Sequence, residues 1–179
     1  MILTDREIQI FIANGQITVT PEPEADAYSS TSLDLTLGER GEIWKPKPGE
    51  PIHPNAEGYN YRQLAERREK VSLKGYPFPP RSLLLAWTHE TVILPLTSRI
   101  AARVEGKSGL ARLGMIIHMT APTIHADFKG QIQLEMCNLG PYDIILDAGM
   151  PICQLIFEIT FGTAAKGYAG QFAGQSAAS

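Results

Sequence analysis

Cysteine is scarce in this chain of 179 residues, which contains only Cys137 and Cys153. Two thiols cannot build the disulfide framework of a small secreted domain, so we expect a reducing, cytoplasmic setting. The chain also lacks any apolar run near the roughly 18–20 residues that a membrane helix requires. Its first residues carry no basic segment followed by an apolar stretch, so we expect neither a signal peptide nor a membrane partner.

An excess of positive charge is likewise missing. Lys and Arg total 16 against 19 Asp and Glu, a net charge of −3, which argues against nucleic acid as a partner. Charged residues make up only 20% of the chain and apolar residues 44%, proportions that exclude an intrinsically disordered protein. The length suits one domain, and we expect residues 1–179 to form a single one.

Glycine and proline, by contrast, are abundant, with 16 and 13 residues. From Ser82 onward they separate short apolar segments typical of strands, including two at 83–87 and 91–94, and no long amphipathic helix lies between these segments. This pattern predicts a mainly β fold, an antiparallel sandwich or barrel. A capping-box pair, Thr4 and Glu7, predicts a short N-terminal helix over residues 4–14.

Three further segments have compositions of their own. Residues 45–60 are rich in Pro and Gly and predict a surface excursion. The mixed-sign run at 66–70 predicts a solvated face rather than a basic binding patch. The small and polar residues 162–179 predict a flexible C-terminal tail.

The segment 130–136 alternates apolar and polar side chains with the period of a strand. Ile132 and Leu134 then lie on one face, and Gln133 and Glu135 on the other. If the apolar face packs in the core, Glu135 points into solvent or into a cleft. From the pattern alone, a plain solvated carboxylate is favoured over a catalytic one.

A second candidate segment, Gly106–Gly114, combines glycines with Lys107, Ser108 and Arg112. Backbone N–H groups, a hydroxyl and two cations are the groups that hold a phosphate, although the Walker spacing is absent and a structural loop remains the alternative. The chain has four histidines but neither the zinc motif of base deaminases nor the nucleophile elbow of serine hydrolases. We therefore expect no metal in the chemistry.

Three segments, taken in order, resemble the dCTP deaminase branch of the trimeric dUTPase superfamily. They are Ser29–Gly38, Gly106–Gly114 with its continuation to Ala121, and Ile124–Glu135. The resemblance implies a distorted jelly-roll or β-sandwich of the dUTPase-like type, assembled as a homotrimer with each site built between subunits. It also implies the hydrolysis of dCTP to dUTP and ammonia, with Mg²⁺ only as the counter-ion of the bound triphosphate.

The resemblance also implies a role for individual residues. Glu135 would be the catalytic proton shuttle, Ser108 would hold the attacking water, and Arg112 would be a fixed cation beside the carboxylate. The remaining substrate-binding residues that it implies fall into three groups: Lys107 and Gly109 at the phosphates; Ala121, Gln133 and Leu134 at the base; and Tyr168 and Gln171 in a tail that closes over the nucleotide.

Four positions depart from the family pattern: His125, Thr123, Gly109, which replaces the second serine of the deaminase loop, and Gly167, which stands where a tail lysine usually precedes the tyrosine. His125 stands where the family has an aspartate at the deoxyribose 3′-hydroxyl, and Thr123 replaces an arginine found in some deaminases. Glu135 favours deamination, because a dUTPase needs no carboxylate at C4 of the base. The alternatives are a dUTPase, a bifunctional dUMP-forming deaminase, and a nucleotide-binding sensor without catalysis.

Overall fold

The computed structural model describes residues 1–169, 174 and 176. Its α-helices are α1 (Asp5–Ala13), α2 (Tyr61–Ala65) and α3 (Ser108–Arg112). Its strands are β1 (Thr18–Thr20), β2 (Tyr28–Ser29), β3 (Ser32–Trp44), β4 (Arg68–Ser72), β5 (Tyr76–Phe78), β6 (Ser82–Ile93), β7 (Ile100–Gly106), β8 (Met115–Ile116), β9 (Thr123–Ile124), β10 (Lys129–Asn138), β11 (Ile144–Leu146) and β12 (Pro151–Ile159). The predicted mainly β architecture with a short N-terminal helix is confirmed.

Strand β3 joins the two halves of one curled antiparallel sheet, whose strands run in the order β8-β10-β6-β3-β12-β7-β9. The first part of β3 pairs with β12, and its last part pairs with β6 and β4. Because one strand serves both halves, the sheet folds over itself and encloses a core between its two layers. The half that carries β4, β3, β6, β10 and β8 is called the β10 layer below.

The core is filled by alternate residues of the long strands. Leu33, Leu35 and Leu37 of β3 are fully buried, as are Leu155 and Phe157 of β12. This alternation has the period of two that a strand with one core-facing side requires. Helix α1 adds Ile8 to the same cluster, and Thr4 and Glu7 form the predicted capping box at its start.

Two predicted strands, at 83–87 and 91–94, are one strand in the structure. The prediction of two was wrong because the polar residues between them form an irregularity inside β6 rather than a turn. The Thr88 hydroxyl donates a hydrogen bond to the carbonyl of Glu90 (2.8 Å) and accepts one from the amide of Ile132 (3.0 Å). These two bonds pair backbone groups that the irregularity leaves without a strand partner, so β6 continues through it.

The prediction that residues 66–70 form a solvated face is wrong for Arg68. Residues from Arg68 onward form β4, which pairs with the end of β3. Arg68 is largely buried there in an ion pair with Glu42, whereas Arg67 and Glu69 form more exposed pairs. The surface excursion at 45–60 contains no strand or α-helix, and α2 follows it directly. None of the helices described here is both long enough and apolar enough to span a lipid bilayer.

Candidate active site

Glu135 lies on β10, between the short edge strand β8 and strand β6, on the side away from the core. The predicted alternation is confirmed, because Ile132, Leu134 and Met136 are buried in the core. Gln133 and Glu135 are half-buried on the opposite side, which we call the outer face. Strand register thus places a carboxylate and an amide side by side on that surface.

The neighbours of these two residues on β6 are apolar. Leu85 lies opposite Glu135 and Trp87 opposite Gln133, so their side chains share the outer face. They are only 5% and 6% exposed, although neither belongs to the main core cluster. The outer face therefore has an apolar floor beside the carboxylate. In the sequence, the unbroken apolar run at 83–87 indicates a strand that is buried on both faces. It does not indicate which residues of the neighbouring strand lie opposite Leu85 and Trp87.

The candidate phosphate-binding segment, Gly106–Gly114, contains the short helix α3, as its glycine-flanked sequence suggested. Ser108, Gly109 and Arg112 are exposed, whereas Lys107 is half-buried. The ammonium group of Lys107 forms an ion pair with the carboxylate of Asp34 on β3. One of the cations expected at the phosphates is thus held by Asp34, a residue to which no motif had assigned a role.

Close packing fixes the far end of α3 against the end of β10. Gly114 has a φ of +92°, and a Cβ there would overlap the backbone of Gly140. The amide of Leu139 donates to the carbonyl of Gly114 (2.9 Å). Asn138, which is buried, donates to the carbonyls of Phe78 (2.8 Å) and Tyr142 (2.9 Å). The loop and the strand that carries Glu135 are therefore held as one rigid unit.

Within the described part of one chain, Glu135 makes no hydrogen bond or ion pair with Ser108 or Arg112. The described residues of one chain thus do not join these three predicted catalytic residues by a direct bond. An electrostatic neighbour of Glu135 in the same chain is Tyr61 of α2. Burial raises the pKa of Tyr61, the guanidinium of Arg68 lowers it, and the charges of Glu135 and Glu42 add to the rise.

The tail returns toward the turn between β9 and β10. The ring of Tyr168 stacks on that of His125, with centroids 5.7 Å apart and planes 21° apart, and also contacts Phe128. A Cβ at Gly167 would clash with the side chain of Asp127, so the tail passes close to this turn. His125 is exposed at its edge. Two predicted residues, His125 and Tyr168, are thus brought into contact.

Among the residues described, the remaining predicted site residues make no contact that indicates a role. Ala121 and Thr123 are exposed on the segment that leads into the same turn, and Leu134 faces the core, so only its backbone can line a pocket. Gln171 lies outside the described residues. In the part of the chain that the structure describes, no group of three or more His, Cys, Asp and Glu side chains is placed to hold a metal ion.

Comparison with known proteins gives a consistent family. A profile described as dCTP deaminase-like matches residues 2–160. The dCTP deaminase of Rhodospirillum rubrum is 33% identical over 175 residues, which cover 94% of this chain and 88% of that protein. The "dCTP deaminase, dUMP-forming" of Methanosphaerula palustris is 37% identical over 160 residues, 89% of this chain and 82% of that protein.

Solved structures give the fold. The 2′-deoxycytidine 5′-triphosphate deaminase of Agrobacterium tumefaciens superposes with a TM-score of 0.68 at 22% identity, over 88% of this chain and 47% of that one. This chain thus spans about half the length of that protein. A dUTPase of Staphylococcus bacteriophage 80alpha superposes with a TM-score of 0.51 at 12% identity, over 86% of this chain and 96% of that one. The predicted dUTPase-like β fold is confirmed.

Proposed function

The chain belongs to the dCTP deaminase-like family, and we propose that it catalyses the hydrolytic deamination of dCTP to dUTP with release of ammonia. The observation that carries the proposal is the position of Glu135. This carboxylate is half-buried on a rigid strand, beside an apolar floor, and it has no ion-pair partner among the described residues of its own subunit. A carboxylate so placed can both accept and return a proton.

Hydrolytic deamination of cytosine requires one group that can accept and return a proton. Water adds to C4 of the cytosine ring, and Glu135 takes a proton from that water and delivers it to N3. The hydroxyl proton of the resulting tetrahedral adduct then passes by way of Glu135 to the exocyclic amine. The C4–N bond breaks, the C4 carbonyl forms, and ammonia leaves. Ser108 orients the attacking water, and Arg112 stabilises the charge of Glu135 as the protons move.

Assembly into a homotrimer would complete the site. Ser108, Gly109 and Arg112 are exposed on one chain and make no bond to Glu135 of that chain. When two subunits share an active site, each isolated subunit has an exposed catalytic loop and a catalytic carboxylate that do not contact each other. We therefore assign Glu135 to one subunit of each site and Ser108 with Arg112 to its neighbour.

The substrate would lie across this junction. Lys107 and the backbone of Ser108 and Gly109 bind the triphosphate, with Mg²⁺ as its counter-ion and no metal in the reaction itself. Gln133 and the backbones of Leu134 and Ala121 line the base pocket. His125 and Thr123 lie at the sugar, and the tail within 162–179, with Tyr168 and Gln171, closes over the nucleotide to exclude water. All of these residues belong to one domain, 1–179.

A second candidate is the bifunctional reaction that carries dCTP on to dUMP. It is favoured by relatives at 37% and 38% identity that are named dUMP-forming dCTP deaminases. A dUTPase and a non-catalytic nucleotide sensor are the remaining candidates. The two cysteines, Cys137 and Cys153, are both free, which is compatible with a reducing compartment such as the cytoplasm.

One assay separates these functions. The protein is incubated with dCTP and, separately, with dUTP, and ammonia and pyrophosphate are both measured. Ammonia alone, from dCTP, supports the proposed deaminase. Ammonia and pyrophosphate from dCTP together identify the bifunctional enzyme, and pyrophosphate from dUTP without ammonia from dCTP identifies a dUTPase. Binding of dCTP with neither product identifies a sensor and refutes the proposal.

A further inference from the structure

Arg68 is the centre of a compact group of side chains on the outer face of the β10 layer. Its guanidinium forms an ion pair with Glu42 (Nη1 to Oε2, 2.7 Å), and the two side chains are only 16% and 10% exposed. The same guanidinium lies 5.6 Å from the ring centre of Trp44 and 6.0 Å from that of Tyr61. Glu42, Trp44, Tyr61 and Arg68 are called the Arg68 cluster below.

The cluster ties helix α2 to the sheet at both ends of the helix. Asn60 caps the start of α2, its side-chain oxygen accepting from the amides of Arg62 (3.0 Å) and Gln63 (3.3 Å). Nε of Arg68 donates to the carbonyl of Ala65 at the end of α2 (3.1 Å). Tyr61, in the first turn, is held edge-on to Trp44 with ring centres 6.4 Å apart. The position of Tyr61 on the sheet thus depends on Arg68.

Strand register places this cluster beside Glu135. Glu42 lies opposite Leu85, and Leu85 lies opposite Glu135, so the two glutamates are on the same face two strands apart. Their backbones are therefore separated by about 10 Å. After the larger effect of burial, the charges of both carboxylates contribute to raising the pKa of Tyr61 on α2.

We propose that Arg68 is a positioning residue for Glu135: it fixes Tyr61 of α2 on the outer face and neutralises Glu42, the carboxylate two strands away from Glu135 on the same face. The inference rests on the proposed role of Glu135 in proton transfer. An unpaired, largely buried Glu42 would place a second negative charge near Glu135 and disfavour its ionised form. A guanidinium suits this task because it keeps its charge and stacks on aromatic rings while it pairs.

The charged and titratable groups that face Glu135 come from several elements. Strand β3 contributes Glu42, β4 contributes Arg68 and the exposed Lys70, and α2 contributes Tyr61, with Tyr59 just before it. Strand β6 contributes only apolar side chains at this level. On β10 itself, Cys137 follows, and burial raises the pKa of its thiol. On the β8 side of β10, Ile116 lies opposite Cys137 and His118 follows two residues later, toward Glu135. Arg68 and Glu42 form the ion pair on the other side of Glu135, so removing either residue changes one charge there.

The test uses two opposite substitutions in the full-length protein. Arg68→Met removes the cation but keeps a long apolar side chain, and Glu42→Gln removes the anion but keeps the shape. The titration of Glu135 is followed by the NMR signal of its carboxyl carbon in glutamate-labelled protein and assigned with Glu135→Gln. We expect this midpoint to rise in Arg68→Met, which removes a positive charge, and to fall in Glu42→Gln, which removes a negative one.

The acidic limb of the kcat profile for dCTP is expected to move in the same direction as the midpoint in each variant. The double variant is expected to return close to the wild-type midpoint. Arg67→Met is the matched control, because Arg67 is the preceding residue and pairs with Glu50 at a more exposed site. It is expected to leave both readouts unchanged.

The inference is overturned if the Glu135 midpoint is unmoved in both variants, or if it moves in the same direction in both. If Arg68→Met does not fold, Glu42→Gln decides alone: a lowered midpoint supports the inference, and an unchanged one overturns it. Failure of the proposed function is a separate outcome. It would appear as wild-type protein that releases no ammonia from dCTP, and the NMR titration needs no turnover to be interpreted.

Discussion

The ammonium group of Lys107 and the carboxylate of Asp34 form an ion pair that joins the loop before α3 to strand β3. Both groups are less than a third exposed, and Oδ1 of Asp34 is buried with no hydrogen-bond partner in the described residues. This pair holds the Lys107 side chain in one direction before any ligand arrives. A cation fixed in advance costs less entropy when an anionic ligand binds.

We expect Asp34→Asn to weaken substrate binding more than turnover. The ion pair is lost, so the free energy of unfolding should fall by about 1–2 kcal/mol. KM for dCTP should rise severalfold, while kcat changes less, because Lys107 is assigned to the phosphates and not to the reacting base. Steady-state kinetics and thermal unfolding measure both effects. Asp143→Asn, at an exposed loop position, is the control. An unchanged or lower KM in Asp34→Asn would contradict the positioning role.

Glu135→Gln should separate catalysis from folding. The substitution keeps the size of the side chain but removes the proton acceptor, so kcat should fall by at least about 10²–10⁴-fold. Stability should stay within about 0.5 kcal/mol of the wild type, because Glu135 is half-buried and makes no ion pair in the described chain. Ser108→Ala should cost less, since water can partly replace the hydroxyl.

The control for that experiment is Glu105→Gln, which alters another half-buried strand carboxylate on β7. Its activity should remain near that of the wild type. A well-folded Glu135→Gln protein that deaminates dCTP at nearly the wild-type rate would refute the proposed mechanism.

Mixing two inactive variants should test the shared site. Glu135→Gln and Arg112→Ala are each expected to be inactive alone. If every site takes Glu135 from one subunit and Arg112 from the next, randomly mixed trimers contain some sites with both native residues, about a quarter of the total. Ammonia release should therefore recover to about a quarter of the wild-type rate after unfolding and refolding the variants together. No recovery, with trimers present by light scattering, would place the whole site within one chain.

Gly167→Ala should displace the tail from the turn that holds His125. A Cβ at Gly167 would clash with the Asp127 side chain, and Tyr168, which stacks on His125, follows directly. We expect a severalfold lower kcat/KM for dCTP with little change in thermal stability, because Tyr168 packs against the core cluster only as a partly buried residue. Faster cleavage of the tail by a protease should accompany the loss.

Gly162→Ala is the matched control for the tail, since a Cβ there meets nothing within 4 Å. It should leave both kcat/KM and protease sensitivity unchanged. Equal kinetics for the two alanine variants would show that the contact between tail and turn has no part in the reaction.

Local patterns were sufficient for much of the fold. The alternation of β10 placed Glu135 away from the core, because a strand has a side-chain period of two wherever it lies in a sheet. The pair Thr4 and Glu7 located the start of α1, because a cap involves residues within one turn. Abundant glycine and proline indicated many short strands rather than long helices.

The surroundings of Glu135 were decided only by the tertiary structure. The sequence by itself identified Glu135 and the α3 loop as candidates, but Arg68 was predicted to be solvated and is instead stacked and paired with Glu42. The register of β3, β6 and β10, which brings Glu42 and Glu135 to one face, joins residues that are 93 positions apart in the numbering. Such partners depend on which strands become neighbours and in which register, and no local period or capping signal carries that information.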